Sequence, residues 1–343
     1  MHQRNDGIPF DATLFKDINI NRSAIERRTV TLLGRRSVKK EWQAAWLLKA
    51  ITCIDLTTLS GDDTRGNGSR LCAKAKAPVR QDLLEAMGMQ DANIHVGAVC
   101  VYHNLIKDAV SALGESNIPV AAVSTGFPAG NIPLKEKLKQ IELSVAAGAK
   151  EIDIVISRRL VLESDWKGLY DEVAACRRAC GEAHMKTILA TGEIPTYTKV
   201  AKASWVSMMA GSDFIKTSTG KEPVNATLPV SLVMIRAIRA YNELTGDKVG
   251  FKPAGGISKA KDALNWLILI KEELGNDWLN PDLFRFGASS LLGDIERLKQ
   301  LMVFATHPQL VSGNACKSHV FELNSDIVRV GTLGLLHRLN HHH

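Results

Sequence analysis

Residues 211–221 read GSDFIKTSTGK, a short apolar run that carries one lysine, Lys216, and then gives way to small polar residues and a glycine. Alternation along a strand places Phe214 and Lys216 on one face, and a glycine-containing turn follows. A lysine at the carboxyl end of a buried strand is unfavourable unless it is paired or neutral. The stretch therefore predicts a strand that carries a chemically active lysine.

Similar apolar segments occur on both sides of this stretch and alternate with helical segments over about 250 residues, the pattern of a (β/α)8 barrel. The other predicted strands are 51–56, 96–102, 119–124, 151–157, 186–191, 249–253 and 283–287. We predict a helical extension over 1–40, the barrel over 41–301 and an irregular tail over 302–343. An open doubly wound sheet is the alternative, but Asp55–Leu59 after the first strand is not a glycine-rich dinucleotide turn.

The composition is that of an ordinary globular protein, with 45% hydrophobic and 23% charged residues in 343. The first residues show no signal-peptide pattern and no apolar run approaches a membrane span, so we expect a cytoplasmic protein, with a nuclear pool as an alternative. The six cysteines form no CxxC pair. Cys176, Cys180 and His184 have helical spacing, but no fourth ligand lies near them, so we expect no metal.

The net charge is +7, and much of it comes from one N-terminal segment with Arg27, Arg28, Arg35, Arg36, Lys39 and Lys40. RNA binding is one interpretation, but the segment has no interleaved aromatic residues and no reading motif. A solvated helix face is the favoured interpretation. A positive surface would also attract a phosphorylated metabolite.

Polar and charged residues collect at the carboxyl ends of the predicted strands, where barrel enzymes place their active groups. They are Asp55, Cys100, Asp153, Lys216 and Lys252, with Thr57, Thr191 and Ser218 nearby. Two lysines in one pocket disfavour each other's protonation, so one amine can be neutral and form a Schiff base with a carbonyl. Asp153 with Lys252 would then move protons through a water. The structural alternative is a salt-bridge network inside the barrel.

A phosphate site is predicted from the loops after the last three strands. Those loops contain Gly220 and Lys221, Gly255 and Gly256, and Gly287 with Ser289 and Ser290. Glycines let backbone N–H groups approach an anion, serine hydroxyls add donors, and the start of the final helix adds its positive end. Barrels often bind phosphate in this region.

Eight motifs taken together resemble the deoxyribose-phosphate aldolases, class I and metal-independent, of the animal type. They are IDLTTLSGDDT, VCVY, GFPAG, EIDIVIS, KTILATGE, FIKTSTGK, GFKPAGGI and FRFGASSLL, between about Lys39 and Arg297. The resemblance implies Lys216 as the Schiff-base lysine, Asp153 as the proton donor and acceptor, Lys252 as its partner, and Asp55 as an organiser of the site. It also implies reversible cleavage of 2-deoxy-D-ribose 5-phosphate to D-glyceraldehyde 3-phosphate and acetaldehyde, without a cofactor. We expect the protein to be a homo-oligomer, either a dimer or a tetramer.

The sequence departs from that family in two places. His103 follows Tyr102 where the family usually has proline, which predicts a local loop change. Family members often end with a tyrosine that reaches the active site, whereas the last tyrosine here is Tyr241. A class I aldolase for another phosphorylated sugar is the nearest alternative function.

Overall fold

A computed structural model describes residues 3–38 and 40–297 of the chain. Within that part there are eight strands: β1 (Ile54–Thr57), β2 (Ala98–Val101), β3 (Val120–Val123), β4 (Glu151–Val155), β5 (His184–Ile188), β6 (Phe214–Lys216), β7 (Gly250–Lys252) and β8 (Phe286–Ala288). The predicted tail over 302–343, its terminal histidines and Cys316 lie outside the described residues.

Helices surround and connect these strands. They are α1 (Arg22–Arg35), α2 (Lys40–Thr52), α3 (Arg65–Lys76), α4 (Gln81–Ala86), α5 (Ile106–Leu113), α6 (Leu134–Ala146), α7 (Arg158–Leu162), α8 (Trp166–Cys180), α9 (Tyr197–Met209), α10 (Leu228–Thr245) and α11 (Ala260–Leu274). Residues 291–297 are also helical. Several helices begin after a residue whose side chain accepts a backbone N–H of the first turn, namely Asn21, Thr64, Asp165, Thr196 and Thr227.

The strands form one parallel sheet in the order β7-β6-β5-β4-β3-β2-β1-β8. Two parallel bridges, Phe251 to Phe284 and Ala254 to Gly287, join its two ends. The sheet therefore closes on itself, and the predicted (β/α)8 barrel is confirmed. The open doubly wound sheet is wrong.

The predicted first strand is wrong at its start. The sequence predicts a strand from residue 51, but α2 continues through Thr52 and β1 begins at Ile54. Leu47, Leu48 and Ile51 are fully buried on this helix. Because the helix ends in apolar residues and the strand begins with them, the apolar run alone does not mark the boundary.

Alternation along the strands separates two cores. Side chains that point outward pack against the helices in one large cluster, which includes Ile152 and Ile215. Inward-pointing side chains of β2 and β3 form a small second cluster of Ala98, Cys100, Ala121 and Val123. The inward positions of the remaining strands carry most of the barrel's buried charge, and these positions hold the candidate site.

The N-terminal extension docks on the outside of the barrel, where α1 contacts α10 and α11. Arg28 pairs with Glu273 at 3.0 Å, and Arg36 pairs with Glu272 at 2.9 Å. Two arginines of the basic segment thus pair with carboxylates of α11. These pairs support the interpretation of the segment as a helix face over the RNA-binding alternative.

Cys176 and Cys180 lie buried on α8, whereas His184 begins β5. Across the described residues, no group of three histidine, cysteine or acidic side chains is arranged to hold a metal ion.

Candidate active site

Lys216 ends β6 and lies directly opposite Lys252, which ends β7. Both side chains point into the barrel and are almost fully buried, with 3% and 0% of their surface exposed. Asp153 on β4 and Asp55 on β1 are inward and fully buried as well. The four charged residues predicted from strand positions are therefore brought together in one interior site.

Asp153 lies between the two lysines. Its Oδ2 atom accepts hydrogen bonds from Lys216 Nζ at 2.7 Å and from Lys252 Nζ at 2.7 Å. Lys252 Nζ donates a second hydrogen bond to Asp55 Oδ2. Asp153 Oδ1 is buried and accepts no hydrogen bond from any described residue. Oδ2 of Asp153 thus accepts from both lysines, whereas Oδ1 has no hydrogen-bond donor among the described residues.

Three further buried charges lie deeper in the barrel: Glu151, Lys186 and Arg285. Lys186 Nζ donates to Glu151 Oε2 and lies 3.3 Å from Asp153 Oδ1. Arg285 donates through Nη2 to Glu151 Oε1 at 2.9 Å and through Nη1 to Asp55 Oδ1. The predicted site residues did not include these three.

A signal for these residues was present in the sequence. Glu151 precedes Asp153 by two positions in EIDIVIS, so alternation puts both on the inward face. Arg285 is likewise two positions before the predicted phosphate residue Gly287. Such residues lie one period of the alternation below the carboxyl ends, on the same inward faces as the predicted residues.

The carboxylates of the site are held in the ionised form. Burial alone would raise the pKa of Asp153, but the charges of Lys216, Lys252 and Lys186 outweigh it and hold that pKa well below its ordinary value. Burial alone would also raise the pKa of Asp55, but the charges of Lys252 and Arg285 are the largest effects in the other direction, and the net result is a lowered pKa. The site therefore offers anionic oxygens at neutral pH.

The pKa values of the two lysines shift in opposite directions. Burial lowers the pKa of Lys216, Asp153 opposes this, and the charge of Lys252 lowers it further, with a net decrease. Burial acts on Lys252 in the same sense, but Asp153 and Asp55 outweigh it and raise the pKa of Lys252 above its ordinary value. Lys216 is thus the lysine more easily obtained as a neutral amine, while Lys252 remains a cation.

The predicted substrate-binding residues lie around this group with different partners. Cys100 is fully buried in the inward cluster, and burial raises the pKa of its thiol. Thr57 Oγ1 donates to the Asp55 carbonyl at 2.7 Å, and Ser218 Oγ donates to the Ala254 carbonyl at 2.8 Å. The buried Thr191 hydroxyl makes no hydrogen bond within the described part of the chain.

The predicted phosphate residues meet where the loops after β6, β7 and β8 converge. Gly220 and Gly255 have φ of 86° and 81°, a region that favours glycine. A Cβ atom on Gly220 would lie 3.7 Å from Gly255 Cα, so these two loops touch. Gly255 N donates to the Gly287 carbonyl at 3.5 Å, which links the third loop.

The remaining members of the predicted phosphate set border the same region. Gly256 follows Gly255 with a positive φ of 79°. Ser289 and Ser290 are exposed and precede the helical residues 291–297, and the Ser290 carbonyl accepts from Asp294 N at 3.4 Å. Lys221 is exposed beside Gly220. Backbone donors, hydroxyls and one cation therefore border a common region of the barrel mouth.

Comparisons with known proteins agree with this geometry. A family model described as DeoC/LacD family aldolase matches residues 49–292. The deoxyribose-phosphate aldolase of Homo sapiens is 60% identical over 299 residues, which cover 87% of this chain and 94% of the human protein. That of Mus musculus is 62% identical over 293 residues, covering 85% and 92%. A solved structure of a putative deoxyribose-phosphate aldolase from Toxoplasma gondii shares the fold, with a TM-score of 0.66 and 19% identity over 78% of this chain and 98% of that one.

Proposed function

The chain belongs to the DeoC/LacD family of aldolases, and on that premise we infer that it is a deoxyribose-phosphate aldolase working through a Schiff base on Lys216. It is a carbon–carbon lyase that cleaves 2-deoxy-D-ribose 5-phosphate reversibly to D-glyceraldehyde 3-phosphate and acetaldehyde. The observation that carries the assignment of Lys216 is its burial beside a permanently charged Lys252, with a lowered pKa.

The reaction begins with the neutral amine of Lys216. Its Nζ lone pair attacks the C1 aldehyde carbon of the open-chain sugar, and loss of water from the resulting carbinolamine leaves a protonated imine. Lys252 cannot take this role, because two carboxylates hold it as a cation. Its charge instead helps keep Lys216 neutral and holds Asp153 in place.

Carbon–carbon cleavage then needs a base and an electron sink. Asp153, through a water, takes the proton of the C3 hydroxyl, the C2–C3 bond breaks, and its electron pair moves into the imine to give an enamine. D-Glyceraldehyde 3-phosphate leaves as the aldehyde. The enamine takes a proton at C2 from the same relay, and water releases acetaldehyde from Lys216. The free Oδ1 of Asp153 supports this role, because it can accept a proton without breaking the bonds of Oδ2.

We assign the phosphate to the loops after β6, β7 and β8. There Gly220 and Gly255 bring two backbones together, and Lys221, Ser289 and Ser290 are exposed at the mouth. With the phosphate at this rim, the aldehyde end of the sugar extends into the barrel toward Lys216. Asp55, Thr57, Cys100, Thr191 and Ser218 border its path as substrate-binding residues.

The lysine chemistry requires no cofactor. We expect a homo-oligomer, either dimer or tetramer, and a cytoplasmic location with a nuclear pool as the alternative. The described helices include none that is long and apolar enough to cross a membrane. Light scattering of the purified full chain would measure the oligomeric state, and a monomeric mass would contradict our expectation.

Borohydride trapping tests the function directly. Reduction in the presence of deoxyribose 5-phosphate should convert the imine to a stable secondary amine, and peptide mass analysis should find that adduct on Lys216. An adduct on any other lysine contradicts the assignment. Product analysis separates the nearest alternative: acetaldehyde is expected, whereas dihydroxyacetone phosphate or pyruvate would indicate an aldolase for another sugar.

A further inference from the structure

A second layer of charge lies beneath the reacting groups and consists of Glu151, Lys186 and Arg285; we call it the lower layer. We propose that Lys186 is a positioning residue for Asp153: it faces Oδ1 as a charge while Glu151 and Arg285 restrain it from forming a hydrogen bond there. This inference rests on the proposed function, in which Asp153 moves the protons.

The first observation is the position of Lys186 relative to Asp153. The two residues are directly opposite each other on β4 and β5, and both are fully buried. Lys186 Nζ lies 3.3 Å from Asp153 Oδ1, yet Oδ1 accepts no aligned hydrogen bond from the described residues. An ammonium group at this distance ordinarily donates to the carboxylate it faces. Another group must therefore direct the donors of Lys186 elsewhere.

That group is Glu151, whose Oε2 accepts a hydrogen bond from Lys186 Nζ. Glu151 is itself held by Arg285, with Nη2 to Oε1 at 2.9 Å and Nη1 to Oε2 at 3.3 Å. Arg285 also donates to Asp55 Oδ1 and to the Pro281 carbonyl, so it is anchored on both sides. Each of these ionic side chains is at most 4% exposed, so the bulk solvent does not compete for these contacts.

Groups from several strands face Lys186 and keep it charged. Glu151 and Asp153 face it from β4, Asp55 Oδ2 lies 3.8 Å away on β1, and the Phe214 ring of β6 lies 5.7 Å from its Nζ. Lys252 on β7 and Arg285 beside β8 are the neighbouring cations. Burial lowers the pKa of Lys186, but the three carboxylates outweigh it and the net effect is an increase. Lys186 is therefore a permanent cation at working pH.

The arrangement divides the two oxygens of Asp153 between two tasks. Oδ2 accepts from Lys216 and Lys252 and so fixes the carboxylate. Oδ1 has the Lys186 charge nearby, which favours the ionised form, but keeps its lone pairs for a water or a substrate hydroxyl. Without Lys186, Asp153 would lose this nearby charge. Without Glu151 or Arg285, Lys186 would donate a hydrogen bond to Oδ1. Both outcomes would slow proton transfer but not the attack of Lys216.

Lys186→Met tests this separation of steps with acetaldehyde as the probe. Imine formation is measured by borohydride trapping at Lys216, and proton transfer by exchange of the acetaldehyde methyl hydrogens with D2O, which requires the imine–enamine step. We expect the exchange rate to fall about 10- to 100-fold, which is part of the usual contribution of acid–base catalysis. The extent of trapping should stay within about threefold of that of the natural protein. Lys137→Met is the matched control, because Lys137 is another buried lysine, 1% exposed and 3.0 Å from Glu172, outside the barrel interior.

The outcomes separate this inference from the proposed function. If the natural protein is not trapped at Lys216, the proposed function fails. If it is trapped there, but Lys186→Met leaves exchange unchanged or lowers trapping and exchange equally, the positioning role fails. If Lys186→Met does not fold, Lys186→Gln takes its place, because glutamine keeps a donor for Glu151 but has no charge. Trapping and exchange are measured in the same way, and we again expect exchange to fall while trapping is nearly unchanged.

Discussion

The interior of the barrel has two unlike halves. On β2 and β3 the inward residues are Ala98, Cys100, Ala121 and Val123, and the partly buried Leu59, Tyr102 and Phe127 pack on them. On the remaining strands, and just before β8, the inward positions carry three carboxylates, three lysines and an arginine, namely Asp55, Glu151, Asp153, Lys186, Lys216, Lys252 and Arg285. We call these the apolar half and the charged half. Lys216 needs both: desolvation favours its neutral form, and the charges supply its partners.

The two halves meet along the pair β3 and β4. Val123 lies opposite Asp153, and Ala121 lies opposite Glu151. Each carboxylate therefore has an apolar side chain on one side and cations on the other. Because the apolar neighbours offer no donor, the cations alone decide how each carboxylate is oriented. The salt-bridge network that was the structural alternative is real, and it is the same network that surrounds the proposed Schiff-base lysine.

The largest expected effect comes from removing the amine of the charged half that we propose as the nucleophile. Lys216→Ala should lower acetaldehyde release by at least ~10⁴-fold, because no other described lysine faces the site as a neutral amine. Borohydride should then trap no sugar adduct. Lys137→Ala, which removes a buried lysine that pairs with Glu172 outside the barrel interior, is the control and should retain turnover. If Lys216→Ala lowered the rate by only about tenfold or less, Lys216 would not be the nucleophile.

Lys252→Leu makes one position of the charged half apolar. Turnover should fall by about 10² to 10⁴, since Asp153 and Asp55 lose a shared partner. In the proposed mechanism Lys216 reacts as the neutral amine, and its neutral fraction rises as the pH passes its pKa. The Lys252 charge lowers that pKa, so its removal raises it, and the pH of half-maximal trapping should move upward. An unchanged pH profile would contradict the tuning role.

The barrel could be predicted because each strand and helix has its own local signal. All eight predicted strand segments overlap a strand of the barrel, from β1 at Ile54–Thr57 to β8 at Phe286–Ala288. An error arises where two apolar elements adjoin, as at Thr52. The end of α2 does not follow from periodicity, because apolar residues continue from the helix into the strand.

The candidate site could be predicted only in part. Lys216, Lys252 and Asp153 stand out because a charge in an apolar strand is conspicuous on its own. Lys186 and Arg285 were missed because their importance lies in their partners. That Lys186 faces Asp153 depends on the register between β4 and β5, which no local pattern contains. The sequence thus identifies single candidate residues more readily than the network that orients them.

Val123→Thr tests the boundary between the halves. This change keeps the shape of the side chain but places a hydroxyl opposite Asp153, where it can donate to the free Oδ1. A hydrogen bond to a charged group is worth about 1.5–3 kcal/mol, so turnover should fall by about 10- to 100-fold. Val120→Thr is the matched control on the same strand, because Val120 is buried but points outward into the large core. If both variants lost turnover equally, the loss would come from disturbed packing and not from a hydrogen bond to Asp153.

Cys100→Ala should have the smallest effect, because the alanine keeps the apolar contact that Cys100 offers the substrate in the proposed function. The thiol is fully buried and burial raises its pKa, so it remains protonated and behaves as a small hydrophobic group. Loss of one sulfur should lower the free energy of unfolding by about 1 kcal/mol and change turnover by no more than about threefold. Thermal unfolding and acetaldehyde release measure the two effects. If Cys100→Ala instead reduced turnover as strongly as Lys252→Leu, the thiol would be a chemical participant, and the apolar half would no longer be a passive wall beside Lys216.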